Sequence, residues 1–335
     1  MHTLTVKLKQ HTPLIHFQHD QDGATLRASE VKPKLDKYIL NLLTPEEMTQ
    51  GKNEGWIKYK NDRVWLDYKM KIEAREPRDV SMTVLEETDR RTHNQKRDDI
   101  GRPLYKTQNY PDNMNSLIMG NMGGRIREDV LNFVMFGNVS LSFIINSERL
   151  YEKVKNEIFN FFFETNFGNR TSKGFGSFIA FSINDEKYRI APICDWLATF
   201  TLTTDEGRRI SERTAMKDIF IVINKLWKGL KAYSRVPKGT LKSVFLNIPS
   251  NLTNNEDRIP SPVYFKPRIK FRSEDKWEVI IYMSLNFDVI SAASADKDAF
   301  YSLIDRAIED VTLINTFKGL RLSNHISNFN IQSVQ

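Results

Sequence analysis

"ERLYEKVKNEIFNFFFETNFGNRTSKGFGSFIAFSI" runs from Glu148 to Ile183, and its reading decides the fold. Leu150, Val154, Ile158, Phe161 and Phe162 recur at helical spacing, so Glu148–Phe163 predicts an amphipathic helix. Ser177–Ile183 predicts a strand. Between them, Arg170 and Lys173 precede Gly174 and Gly176. Glycines can adopt positive φ and leave backbone amides uncovered, and the two cations add charge beside them. Together they can cradle a phosphate of a nucleic-acid backbone. The same letters also make an ordinary helix-to-strand turn. The loop is no Walker loop, because no Gly-Lys-Ser/Thr follows at the required gap. It is no dinucleotide fingerprint either, because it leads into a strand instead of opening a helix.

Outward from this stretch, the first half alternates element types. Leu4, Val6 and Leu8 alternate with polar residues as in a strand. A histidine-rich, turn-rich loop follows. From Ala24 to Leu43 the spacing of Val31, Leu35, Tyr38, Ile39 and Leu42 is helical, with Pro33 in the first turn or bending the helix. Trp56–Lys60 and Val64–Ile72 predict two strands around the turn dipeptide Asn61-Asp62. Pro77–Asn115 is polar and aperiodic; a loop of this length is a functional or a disordered segment. Phe133–Ile145 predicts another strand, with a break at Gly137. Strand, helix, strand, strand, helix, strand is the order of a ferredoxin-like split βαβ unit.

The second half repeats that order. Trp196–Thr203 predicts a strand, and Arg208–Tyr233 a long helix beginning beside Asp205 and Glu206. Leu241–Ile248, Val263–Phe271 and Trp277–Leu285 predict strands, and Asp296–Ile314 a helix. The expected fold class is therefore α+β: two tandem ferredoxin-like (RRM-like) domains, residues 1–185 and 186–335, with a long insertion at 77–115 in the first.

Composition narrows the function classes. The 335 residues are 40% apolar and 11% aromatic, enough for a real core. No uninterrupted apolar run approaches the roughly 18 residues of a membrane span. The N-terminal MHTLTVKLKQ lacks the apolar centre of a signal peptide. The single cysteine, Cys194, excludes an internal disulfide and a thiolate metal cluster. A cytoplasmic protein without a membrane partner or cofactor is expected. The net charge of +7 and the pI of about 9.2 permit an anionic partner.

Several further groups fit such a partner. The first predicted helix carries Arg27, Lys32, Lys34 and Lys37, the last two on neighbouring positions of one face. They form either a phosphate-contacting stripe or a solvated face. Arg78, Arg90, Arg91, Lys96, Arg97, Arg102 and Lys106, with Tyr105 and Tyr110, occupy the 77–115 segment. Basic residues with interspersed aromatics suit single-stranded nucleic acid, although acidic residues dilute them. Near the end, Arg258 precedes two prolines, and Lys266, Arg268 and Lys270 alternate along a strand behind Tyr264. Alternation places them on one face, either an RNA surface or a half-exposed edge strand. His16 and His19 with Asp20 and Asp22 can bind a metal or form a polar surface loop; no metal site is expected.

These pieces together resemble the RAMP superfamily of CRISPR-associated proteins, most closely the two-domain RAMP subunit of type III-B (Cmr) effector complexes. Thr12–Ile39, "TPLIHFQHDQDGATLRASEVKPKLDKYI", is similar to that family's first strand, loop and basic first helix. Ser172–Phe178, "SKGFGSF", resembles its glycine-rich loop, and Arg258–Pro267, "RIPSPVYFKP", its second-domain strand. Where the family's first helix often carries adjacent tryptophans and an arginine, this chain has Leu35, Asp36, Lys37 and Tyr38. The resemblance implies a non-catalytic subunit that holds guide RNA through the glycine loop and the first helix, with a protruding insertion that wedges at the guide–target duplex. Its partners are then guide and target RNA and other RAMP subunits, in antiviral defence. Two alternatives stand beside it. One is a metal-independent RAMP endoribonuclease that matures guide RNA, using His11, His16 or His19. The other is an interaction protein whose charge is surface charge only.

Overall fold

The computed structural model describes residues 1–15, 24–80, 82–86, 94, 97, 105–107, 130–131, 133–187, 194–203, 209–233, 263–285, 298, 301–302, 304–306 and 326–334. It is a mixed α/β chain with antiparallel sheets. Two units divide it. The first comprises Met1–Val80, Asn132–Thr171 and Phe175–Pro192; the second comprises Ser81–Leu131, Ser172–Gly174 and Ile193–Gln335.

In the first unit, strand β1 (His2–Gln10) buries Leu4, Val6 and Leu8 on one face and exposes Thr3, Lys7 and Lys9 on the other. Helix α1 (Ala28–Leu42) answers with Val31, Leu35 and Ile39, four residues apart and fully buried. Pro33 stands in its second turn, not its first. It supplies no N–H, so the Ser29 carbonyl four residues earlier has no helical donor. Helix α2 (Pro45–Asn53) starts in a capping box: Thr44 Oγ1 accepts from the Glu47 N–H at 3.2 Å, and Glu47 accepts from the Thr44 N–H at 2.9 Å. Strands β2 (Ile57–Lys60) and β3 (Arg63–Leu66) form a hairpin around Asn61 and Asp62, whose φ values of 47° and 62° make the two-residue turn that suits strand twist.

Strand β4 (Tyr68–Asp79) pairs along its length with β8 (Val134–Ile145). Strands β5 (Met82–Glu86), β6 (Tyr105–Thr107) and β7 (Val130–Leu131) make a small separate sheet in the order β6-β5-β7, which belongs to the second unit. The polar segment expected to be loop throughout thus contains the end of β4, β5 and β6. β8 is not broken at Gly137: the Cβ direction of that residue is filled by the Glu76 side chain across the ladder. Helix α3 (Glu148–Glu164) is capped by Ser147 Oγ, which accepts from the Leu150 N–H at 3.3 Å. Its Leu150, Val154, Ile158, Phe161 and Phe162 are buried as spaced. Strands β9 (Phe178–Ile183) and β10 (Glu186–Lys187) complete a sheet of order β10-β9-β1-β8-β4. The helices cover one face of it, and each fully buried Leu, Val or Phe there contributes roughly 1.5–3 kcal/mol.

In the second unit, β11 (Trp196–Thr203) alternates buried Trp196, Ala198, Phe200 and Leu202 with half-exposed residues. Helix α4 (Glu212–Tyr233) starts a turn later than the sequence predicts, with Ser211 Oγ accepting from the Thr214 N–H at 3.1 Å. Strands β12 (Val263–Arg272), β13 (Lys276–Leu285) and β14 (Ile326–Ser333) give the order β12-β13-β11-β14. β14 is an edge strand that the sequence did not announce. Of the predicted final helix, residues 298, 301–302 and 304–306 are helical; the predicted strand at 241–248 lies outside the described residues. No described helix is long and apolar enough to cross a membrane.

Candidate nucleic-acid interface

In the first unit the loop after α3 is fixed at every step by hydrogen bonds. Phe167 N–H donates to the Gly176 carbonyl at 3.0 Å, and Gly176 N–H to the Pro13 carbonyl at 2.8 Å. Asn169 N–H donates to the Ile15 carbonyl at 2.6 Å, and His11 N–H to the Ser177 carbonyl at 2.8 Å. Ser177 N–H reaches Thr12 Oγ1 at 2.9 Å, and the Asn166 side-chain amide donates to the Thr171 carbonyl at 2.7 Å. The segment that follows β1 therefore clamps the loop from the far end of the sequence.

Helix α1 docks on the same loop. Glu30 Oε1 accepts from both Lys34 Nζ, at 3.1 Å, and the Gly168 N–H. Lys34 Nζ also donates to the Asn166 carbonyl at 3.2 Å and lies 4.9 Å from the Phe167 ring centroid. Arg27, exposed, is the N-cap residue of α1. Glu30 and Lys34 thus hold α1 against Asn166–Gly168, and the half-exposed Arg170 follows in the same loop. Arg170 has φ 58°, a left-handed conformation unusual for a residue with a Cβ. Lys37 departs from this group. It is exposed and lines a groove on the other side of α1.

The two glycines accommodate protein atoms. A Cβ on Gly176 (φ 64°) would lie 1.9 Å from the Phe167 carbonyl oxygen. One on Gly174 (φ 82°) would lie 2.7 Å from Pro267 Cγ and 2.9 Å from Ile223 Cδ1. Both residues are buried, and the Gly176 amide is already bonded. Open amides for a phosphate, the sequence expectation, are not what these two positions provide; side-chain absence there permits close packing. Ser172–Gly174 count with the second unit, where Lys173 Nζ sits 2.9 Å over the Trp227 ring.

On β12, Tyr264, Lys266 and Arg268 share a face as their alternation predicts, but the face is not an open basic strip. Lys266 is 2% exposed, and Arg268 donates to the Tyr282 hydroxyl at 3.0 Å. A bulge between Ile269 and Phe271 takes Lys270 out of register. Arg258, His16, His19, Asp20, Asp22 and most basic residues of the 77–115 segment lie outside the described residues. His11 is buried at 2% exposure.

Sequence reasoning missed the groove that Lys37 lines. It is about 740 Å³, between α1 and the β2–β3 hairpin, with Pro33, Leu40, Arg63, Trp65 and Met70 among its walls. At its base Lys32 Nζ lies 3.1 Å from the Asp36 carboxylate, 2.9 Å from the Leu66 carbonyl and 3.7 Å from the Tyr68 ring centroid. Burial pushes the Asp36 carboxyl above the usual carboxylate range, and Lys32 acts against that rise. The available signal was the pairing of Lys58 and Lys60 with Trp65 and Arg63 across a two-residue turn, which puts all four on one hairpin face.

A family-model match over the first two thirds of the chain makes this a RAMP-type protein of the Cmr (type III-B) kind. Residues 1–233 match the family model described as the Cmr1 N-terminal domain, and the chain belongs to that family. Among solved structures it is similar to the crystal structure of apo Cmr1 from Pyrococcus furiosus. The identity is 10% and the TM-score 0.40, over 85% of this chain and 89% of that one. No curated protein matches.

Proposed function

We propose that the chain is a non-catalytic RNA-binding subunit of the type III-B effector, contacting guide RNA and the guide–target duplex and working beside other RAMP subunits in antiviral defence. Its architecture on this reading is two ferredoxin-like domains, 1–185 and 186–335. The orders β9-β1-β8-β4 and β12-β13-β11-β14 support it, since each sets the first strand between the third and the last.

One observation carries the RNA assignment: Arg170 is held in a left-handed conformation on a loop that backbone bonds pin and that Lys34 of α1 contacts at Asn166. A rigid loop presenting a guanidinium is preorganised for phosphate. Arg27, Lys34 and Arg170 are the proposed phosphate contacts of the first unit. Gly174, Gly176 and Lys173 shape the loop, and Arg258, Lys266 and Arg268 stand as further contacts on the second. The burial of His11 argues against that one of the three candidate histidines of the nuclease alternative, because an enclosed imidazole has no path to a scissile phosphate.

The test is RNA affinity across a salt series for the intact protein and for Arg27→Glu combined with Arg170→Glu. Steep salt dependence in the parent and a shallower slope in the variant are expected. Unchanged affinity would remove the loop from the interface. Cleavage of repeat RNA in EDTA, abolished by His11→Ala, would instead establish the nuclease.

A further inference from the structure

We propose that the groove between α1 and the β2–β3 hairpin is a second RNA subsite, which takes unpaired nucleotides of a single strand with a base stacked on Trp65. The proposal rests on the RNA-binding reading above but uses none of the residues of the Arg170 loop.

The residues that line it have the two properties single-strand binding needs. The first is an accessible aromatic face. Trp65 is half-exposed on β3 and borders two cavities, the groove of about 740 Å³ and a neighbour of about 510 Å³ formed with Lys60, Asn61 and Arg63. A cavity of several hundred Å³ is of the size that encloses a small organic ligand, so it has room for a nucleobase with its sugar. Two cavities meeting at one indole offer a path for consecutive nucleotides past it. Every base has a π face, so stacking here is tolerant of sequence.

The second property is uncompensated positive charge. Lys32, Lys34 and Lys58 of this region are each engaged with a carboxylate: Asp36, Glu30 and Asp67 respectively. Lys37, Lys60 and Arg63 make no ion pair among the described residues, and all three are exposed around the cavities. The carboxylate that lines the groove, Asp36, is buried and paired with Lys32. Asp62, in the hairpin turn, lines neither cavity. The rim is therefore cationic, and Pro33, Leu40 and Met70 make apolar stretches of the wall beside the paired Lys32 and Asp36. An acidic polymer with flat apolar units matches both; a paired duplex does not, because its bases are not available to enter.

The spacing is built by local rules. Residues 28–29, 32–33, 36–37 and 40–41 form one stripe of α1, and all of them line the groove. The Asn61-Asp62 turn fixes the hairpin register that puts Trp65 and Arg63 on one face.

The experiment uses the intact protein and fluorescently labelled octauridylate, with a duplex RNA of equal length as comparison. Trp65→Ala is expected to weaken octauridylate binding about 5- to 150-fold, the span of one lost base–aromatic stack, and to leave duplex binding within about twofold. Trp65→Phe should retain most of the affinity, which separates stacking from misfolding. Lys37→Glu with Arg63→Glu should weaken the same ligand and flatten its salt dependence. An octamer carrying 5-iodouridine should crosslink to the peptide that contains Trp65. If the parent binds octauridylate, the Arg27→Glu/Arg170→Glu variant loses it, and Trp65→Ala does not, the groove proposal is overturned and the loop reading stands. A groove that serves a protein partner gives that same pattern. If the parent binds neither RNA, both readings fail together. Crosslinks confined to other peptides overturn the proposal as well.

Discussion

Replacing Gly176 by alanine separates two roles for a glycine in this loop. If its purpose is packing, the cost is large and appears in folding; if its purpose is access for a phosphate, the fold tolerates the change and binding suffers. The added Cβ would sit 1.9 Å from the Phe167 carbonyl oxygen and 2.8 Å from its carbonyl carbon, whereas ordinary contact begins at 3.4 Å. Both atoms are backbone, so no side chain can rotate away. The left-handed φ of 64° adds about 1–2 kcal/mol for a residue with a Cβ, partly offset by about 0.4–1 kcal/mol from a stiffer unfolded chain. Relieving the overlap means separating Gly176 from Phe167. That endangers the bonds Phe167 N–H to Gly176 O and Gly176 N–H to Pro13 O, each worth about 1–3 kcal/mol if left buried and unmade. The sum is about 2–8 kcal/mol. Gly55→Ala is the matched comparison: its φ is 76°, but the nearest atom to its Cβ is Lys58 Nζ at 3.7 Å, the tip of a long side chain. It should cost about 1 kcal/mol, the conformational part alone. Urea unfolding of both variants and the parent, followed by far-UV circular dichroism, reads the difference. A Gly176→Ala variant no less stable than Gly55→Ala would refute the packing argument and return the glycine to the phosphate.

Arg170→Gly is expected to leave stability within about 1 kcal/mol of the parent, since relief of the left-handed strain offsets the added chain freedom, while lowering RNA affinity; a melt and a binding titration on one sample show both. Thr44→Ala removes the capping box at α2 and should cost about 1 kcal/mol in urea unfolding, with Thr44→Ser close to neutral. Burial, assisted by the neighbouring Asp195 charge, pushes the Cys194 thiol up to about 11. The thiolate is the reactive form, so iodoacetamide should modify the native protein roughly 100-fold or more slowly than the urea-unfolded chain at pH 8. The native rate should still be rising at pH 10, where the unfolded chain has levelled off; a native rate that levels off near pH 8.5 contradicts the assignment.

What the sequence made legible was periodic burial. Leu4, Val6 and Leu8 alternate because one face of β1 meets the helices, and Leu150, Val154 and Ile158 repeat because one stripe of α3 meets the sheet. Elements that bury little left no such trace. α2 encloses only Gly51, so its apolar pattern is blank, yet its start is written locally in Thr44, Pro45 and Glu47. β14 buries none of its residues and is held as an edge by the β11 ladder. Pro77–Asp79 reads as polar loop but continues β4, because pairing with β8 requires backbone groups and no apolar side chains.

The site divides along the same line. That α1 meets the loop carrying Arg170 could be reasoned from chain order, since the first helix and the loop before the last strand meet in a split βαβ unit. What fills the space beside a glycine could not. At Gly174 that space is filled by Ile223 and Pro267, about 50 and 90 residues away in sequence, and Gly168 meets the carbonyl of Ile15 from the opposite end of the unit. Likewise parity placed Tyr264, Lys266 and Arg268 together, while the burial of Phe265 and Pro267 on the opposite face shows that β12 is enclosed on both sides at its centre. A cation in such a strand answers to its neighbours inside the fold. The charge that RNA can reach is therefore sought where helix and hairpin leave cations without ion pairs among the described residues, at Lys37, Lys60 and Arg63, and at the half-exposed Arg170 of the pinned loop.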